Sequence, residues 1–137
     1  MPVEDSVNGL VSAPVSEDSL IWSGFFFRSK QRKVGVDAYL VAGQFALRHS
    51  QHSINIAYRA PFPEDAYVLA VLVFEAENCT QQTAFNEYIK YFLCKARTGF
   101  VPLAPHVALH VVPYSEAALT VYPELRPYQL LGLVVAN

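Results

Sequence analysis

The sequence is poor in cysteine. Cys79 and Cys94 are the only two among 137 residues. They form no CxxC pair and no repeated spacing, which excludes a disulfide framework and a cysteine zinc cluster. Both read as reduced core or near-core thiols of an intracellular protein. Charge is sparse as well: 16% of residues are charged and the formal net charge is −2. A chain without positive excess does not bind nucleic acid through overall charge, so any basic site must be a local patch. Long apolar runs are also missing. Leu69–Phe74 and Leu130–Ala136 fall far short of the ~20 residues needed to cross a bilayer as a helix. The N-terminus has no basic stretch ahead of an apolar one, so it lacks a signal-peptide pattern. These absences predict a soluble intracellular protein.

Catalytic and metal signatures are missing too. There is no GxSxG elbow, no glycine-rich phosphate loop and no HExxH. His106 and His110 lie four apart, but Val107, Leu109, Val111 and Val112 around them predict a strand. Four strand residues span roughly 13 Å, too far to share one ion. His49 and His52 sit in a polar stretch that reads as a surface loop. Cys94 beside Lys95 would have a lowered pKa if the ammonium approached it, yet a helix cysteine is more often a small apolar filler. Glu75 and Glu77 read as a solvated strand end. No enzyme, metal or cofactor is expected.

What the sequence does have is apolar residues, 53% of the chain, enough for one sizeable core. Residues 1–18 hold Glu4, Asp5, Ser6, Ser12, Pro14, Ser16, Glu17 and Asp18 among few large apolar groups. They read as a flexible acidic lead-in, with the domain over residues 19–137. Leu20–Arg28 is aromatic and strand-like, and Val34–Ala42 alternates, so the two predict a hairpin closed by Gly43. Ile54–Tyr58 predicts a short strand stopped by Pro61 and Pro63. Tyr67–Phe74 is continuously apolar, as in a strand buried on both faces. Then the period changes. Phe85, Ile89, Phe92, Leu93 and Ala96 recur at helical spacing, predicting a helix from about Gln81 to Thr98. Asn78 or Thr80 would cap its start, Lys95 and Arg97 suit its last turn, and Gly99 would stop it. Val107–Val112 and Tyr128–Val135 predict further strands, with a short helix over Ser115–Tyr122 between them. Strands, helix, strands fit a mixed barrel with helices at its ends, not a parallel βαβ sheet.

Two basic features stand out. The turn bearing Arg28, Lys30, Arg32 and Lys33 reads first as a solubilising hairpin tip, or as a nucleic-acid contact with steep salt dependence. On the helix, Tyr88, Tyr91 and Lys95 fall at i, i+3 and i+7. Tyr91 and Lys95, one turn apart, either cradle an anion or are a half-buried ring and a helix-end cation.

Three segments resemble a known family. Trp22-Ser23-Gly24-Phe25, followed by a hairpin and Ala38-Tyr39-Leu40-Val41-Ala42-Gly43, is similar to the opening of a SPOC domain. Tyr91 to Val101 resembles that family's helix-to-strand element, in which a tyrosine, a basic residue four on, and a glycine recur. Leu130-Leu131-Gly132-Leu133-Val134-Val135 is similar to its last strand. The resemblance covers Leu20 to the C-terminus. It implies an α+β fold: a distorted antiparallel β-barrel of about seven strands, with one main helix and one or two short ones. It also implies a protein-interaction domain of a nuclear transcription or RNA-processing regulator. The partner would be a phosphoserine peptide, from a corepressor tail or from RNA polymerase II C-terminal repeats. Arg59 matches a phosphate-binding arginine of the family, and Tyr91 and Lys95 match the helix tyrosine and its basic neighbour. Lys30 lies near a further basic position. One departure is visible: after Arg59, Ala60-Pro61-Phe62-Pro63-Glu64-Asp65 leads almost directly into Tyr67–Phe74, where family members usually insert a helix. The other reading is a scaffold that holds a protein subunit through an apolar patch centred on Tyr114, Tyr122 or Tyr128.

Overall fold

The computed structural model describes residues 6–7, 10–28, 33–44, 53–56 and 58–136. Strands β1 (Ser6–Val7) and β2 (Leu10–Val11) pair with each other. The main sheet holds β3 (Leu20–Phe27), β4 (Val34–Gly43), β5 (Ser53–Asn55), β6 (Tyr58–Ala60), β7 (Tyr67–Ala76), β8 (Thr98–Ala104), β9 (Val107–Pro113) and β10 (Leu130–Ala136). Helix α1 (Cys79–Lys95) joins β7 to β8, and the short α2 (Glu116–Val121) lies between β9 and β10. The sheet order is β5-β3-β4-β7-β10-β9-β8-β6, and every pair is antiparallel except β3–β5. The fold is therefore the expected α+β half-barrel, with eight strands in its sheet and one parallel edge.

The expected strand over Ile54–Tyr58 is divided between the two edges of the sheet. β5 ends at Asn55 beside β3, and β6 begins at Tyr58 beside β8. Ile56 lies at the crossing, fully buried, and its amide donates to the carbonyl of Phe27 at 2.8 Å. A short stretch of chain thus bridges the two edges of the curled sheet. Its apolar anchor explains why one hydrophobic run serves two strands. The bridge also covers edges that would otherwise present unpaired backbone groups.

Two cores lie on the two faces of the sheet. β7 shows the principle: Ala70, Leu72 and Phe74 join the core under α1, while Val71 and Val73 join the other. Register shifts at Val134/Val135 and Leu40/Ala42 flip the alternation, which is how Val68, Val41 and Ala42 reach the second core. Under α1, Phe26 meets Phe74 edge-on at 4.9 Å and stacks on Phe85 at 6.5 Å. Such ring pairs add about 1 kcal/mol to area burial. The second core packs Ala118, Tyr122 and Leu125 against the sheet, with Val15 at its margin. The segment before Leu20 also bonds to the barrel. The Ala13 amide donates to Val41 at 2.7 Å, and its carbonyl accepts from the Tyr122 hydroxyl at 3.0 Å.

Several local expectations need correction. Asn78 does cap α1, its side chain accepting from the Gln81 amide. The helix stops at Ala96, however, rather than at Gly99. Ala96 takes the left-handed conformation (φ 52°), and the Ala96 and Arg97 amides close back on Leu93 and Phe92. That is a Schellman turn built on alanine, which costs on the order of 1 kcal/mol relative to glycine. Gly99 instead lies inside β8, where a Cβ would stand 2.5 Å from Ile56 Cγ2 and 2.9 Å from Phe92 Cζ. Its role is close approach of strand to helix. Leu93 is 49% exposed, and Ala96 is exposed as well, so neither belongs to the core stripe. Cys79 and Cys94 are exposed, not buried. Position 94 lies about 200° around the helix from the buried Phe92. Tyr122 is a core residue at 1% exposure, so it cannot centre a docking patch.

Candidate functional site

α1 offers two different flanks on either side of its buried ridge of Phe85, Ile89 and Phe92. The first carries Tyr88 and Tyr91. Tyr91 is half-buried, its ring edge-on to Phe92 at 5.4 Å. Two sheet edges bring cations to it. Arg28 follows the last residue of β3, and its Cζ lies 3.4 Å from the centroid of the Tyr91 ring. Arg59, the middle residue of β6, places its Cζ 5.8 Å from the same centroid. Both distances are within the range of cation–π attraction. The two guanidinium carbons therefore cannot be further apart than the sum of those distances. Like charges so placed repel by roughly 0.5 kcal/mol in bulk water, and more where solvent is excluded. No carboxylate pairs with either arginine among the described residues. An anion between them would turn repulsion into attraction on both sides.

The structure thus brings Arg59 and Tyr91 together, as the sequence suggested. Lys95 is the last residue of α1, and its side chain lies outside what is described. Lys30 lies outside the described residues, as do Arg32, His49 and His52. Sequence reasoning missed Arg28, which it assigned to a hairpin tip. The available signal was its position directly after the apolar run Phe25-Phe26-Phe27, which carries it to the barrel rim rather than into the turn.

The second flank is apolar. Phe62, Leu93, Ala96, Val112, Pro113 and Ala117 line an open groove of about 290 Å³, with Arg97 at its margin. The chain from Pro61 to Ala66 crosses here without a helix. Under the groove, Thr98 donates to the carbonyl of Ala60 at 3.2 Å and meets His110 Nδ1 at 2.9 Å. Because the single threonine proton goes to Ala60, the network assigns the other proton to Nδ1 of His110. His110 is buried, and burial lowers its pKa.

Glu75, near the end of β7, is tied into the fold, accepting from the Gln129 side chain at 2.6 Å. Among the described residues, no three histidines, cysteines or carboxylates are grouped to hold a metal. No helix among them is long and apolar enough to cross a membrane.

Comparison with known proteins agrees with this geometry. The profile of the SPOC domain matches residues 12–137. The chain belongs to the SPOC domain family. SPOC domains are protein-interaction domains, so the recognised role of the fold is docking. The SPOC domain of human PHD-finger protein 3 is similar in structure, with a TM-score of 0.62 and 18% identity. The match covers 85% of this chain and 96% of that one. At that identity the likeness speaks for the fold. No curated protein matches the sequence.

Proposed function

We propose that this SPOC domain binds phosphoserine-containing peptides in the nucleus, as part of a transcription or RNA-processing regulator. Arg59, Tyr91 and Lys95 form its contact surface, and Lys30 lies at the margin. Corepressor tails and RNA polymerase II C-terminal repeats are the ligand classes to try first. The observation that carries the reading is the placing of two guanidinium groups against one tyrosine on α1, with no described carboxylate between them. A phosphoserine brings close to two negative charges and three acceptor oxygens, which suits such a pair. Fluorescence anisotropy with one peptide in phosphorylated and unmodified forms tests it. The phosphorylated form should bind more tightly, and Arg59→Ala or Lys95→Ala should remove the difference. Equal binding of both forms by the wild type would overturn the reading.

The apolar groove beside Leu93 favours a second reading, an assembly domain that holds a protein subunit without reading phosphate. A partner whose capture survives Arg59→Glu but is lost with Leu93→Asn would establish it in place of the first.

A further inference from the structure

Two polar groups near the Tyr91 flank have no use in the fold. Nε of Arg28 is buried without a hydrogen-bond partner among the described residues, and so is the hydroxyl of Tyr88. Tyr88 is 4% exposed, and its ring packs on Phe26 at 6.1 Å and Phe92 at 6.4 Å. Arg28 is two residues beyond Phe26, and its guanidinium is stacked on Tyr91, one helical turn from Tyr88. The two orphans are close enough for the Arg28 charge to act on the Tyr88 phenol. Burial, the larger influence, raises the Tyr88 pKa while Arg28 lowers it, so the phenol keeps its proton at neutral pH. Both groups therefore have a hydrogen to give. Buried donors without acceptors are few in native proteins, and each is costly. Two in one place, with no described carboxylate nearby, call for an oxygen acceptor from outside the chain.

We propose that Arg28 Nε–H and the Tyr88 hydroxyl are a second donor pair of the anion site, taking an oxygen of a peptide phosphoserine opposite Arg59. This rests on the phosphopeptide reading above and adds two residues to it. Tyr91 holds the Arg28 guanidinium flat, which aims its edge rather than leaving it to swing. A phosphate has enough oxygens to meet Arg59 and this pair together.

The test uses the phosphoserine peptide and its unmodified twin against wild type, Tyr88→Phe, Arg28→Gln and Arg59→Ala. Arginine Nε–H signals are followed by NMR alongside affinity. Tyr88→Phe keeps the packed ring and removes only the hydroxyl. We expect it to weaken the phosphorylated peptide about fivefold to tenfold, the scale of one charge-assisted hydrogen bond. Binding of the unmodified peptide should not change. The Arg28 Nε–H signal should move downfield with the phosphorylated peptide alone. If Tyr88→Phe and Arg28→Gln keep the full preference and the signal stays still, the donor pair serves a water and the inference is wrong. A preference still lost in Arg59→Ala would then leave the wider reading standing. A wild type without preference overturns both.

Discussion

One flank of α1 carries Tyr88 and Tyr91, with Arg28 and Arg59 brought against the second ring. The other carries Leu93 and Ala96 over an apolar groove. The two share a helix, a buried ridge and the same underlying strand, yet they face opposite chemistry. The difference comes from what the sheet edges deliver. The end of β3 and the middle of β6 bring cations to the first flank, because the chain crosses between edges at Ile56. The second flank receives Phe62 from the helix-free stretch after β6 and is open for that reason. Recognition in this fold is thus set less by the helix than by the short segments closing the barrel around it.

The largest way to break the comparison is to remove what both flanks depend on. Gly99→Val forces a side chain into space held by Ile56 and Phe92. It should destabilise the domain by about 2–3 kcal/mol, seen as a lowered urea midpoint, and weaken any ligand on either flank. Next in size is Arg59→Ala. It should cost about 1.5 kcal/mol of binding to a phosphorylated peptide, while Leu93→Asn leaves that affinity unchanged by the same titration. A smaller effect has the opposite sign. Ala96→Gly relieves the positive φ at the end of α1 and should raise stability by about 1 kcal/mol in thermal or urea unfolding. The smallest is with pH. Burial holds His110 below its usual 6.5, so the unfolded chain takes up the proton first. Stability should be full above pH 6.5, decline as pH falls from there towards the folded-state pKa, and then stop declining. His110→Gln should remove that part of the slope in urea midpoints measured across this range.

Much of the fold was legible because its signals are local. The doubly buried run at Tyr67–Phe74, the helical period from Phe85 to Phe92, and the caps Asn78 and Ser115 each follow from a few neighbouring residues. What was not legible depends on distant partners. Gly99 looks like a helix stop until Ile56 and Phe92 are seen crowding it. Leu93 keeps the core period, but the sheet does not extend beneath it, so its side chain faces a groove. Ile54–Tyr58 reads as one strand because nothing in five residues says that its ends pair with different edges. For the site, Arg59 and Tyr91 were found through family resemblance. Arg28 was missed because its role arises only where β3 ends beside α1.

The most direct test of the central claim compares backbone amide shifts caused by one peptide with and without its phosphate. The account predicts that the shifts due to the phosphate alone centre on Arg28, Tyr88, Tyr91 and Arg59. Those at Leu93, Ala96, Val112 and Ala117 should be the same for both forms. Phosphate-dependent shifts centred on the groove residues, with Arg59 and Tyr91 unmoved, would contradict it.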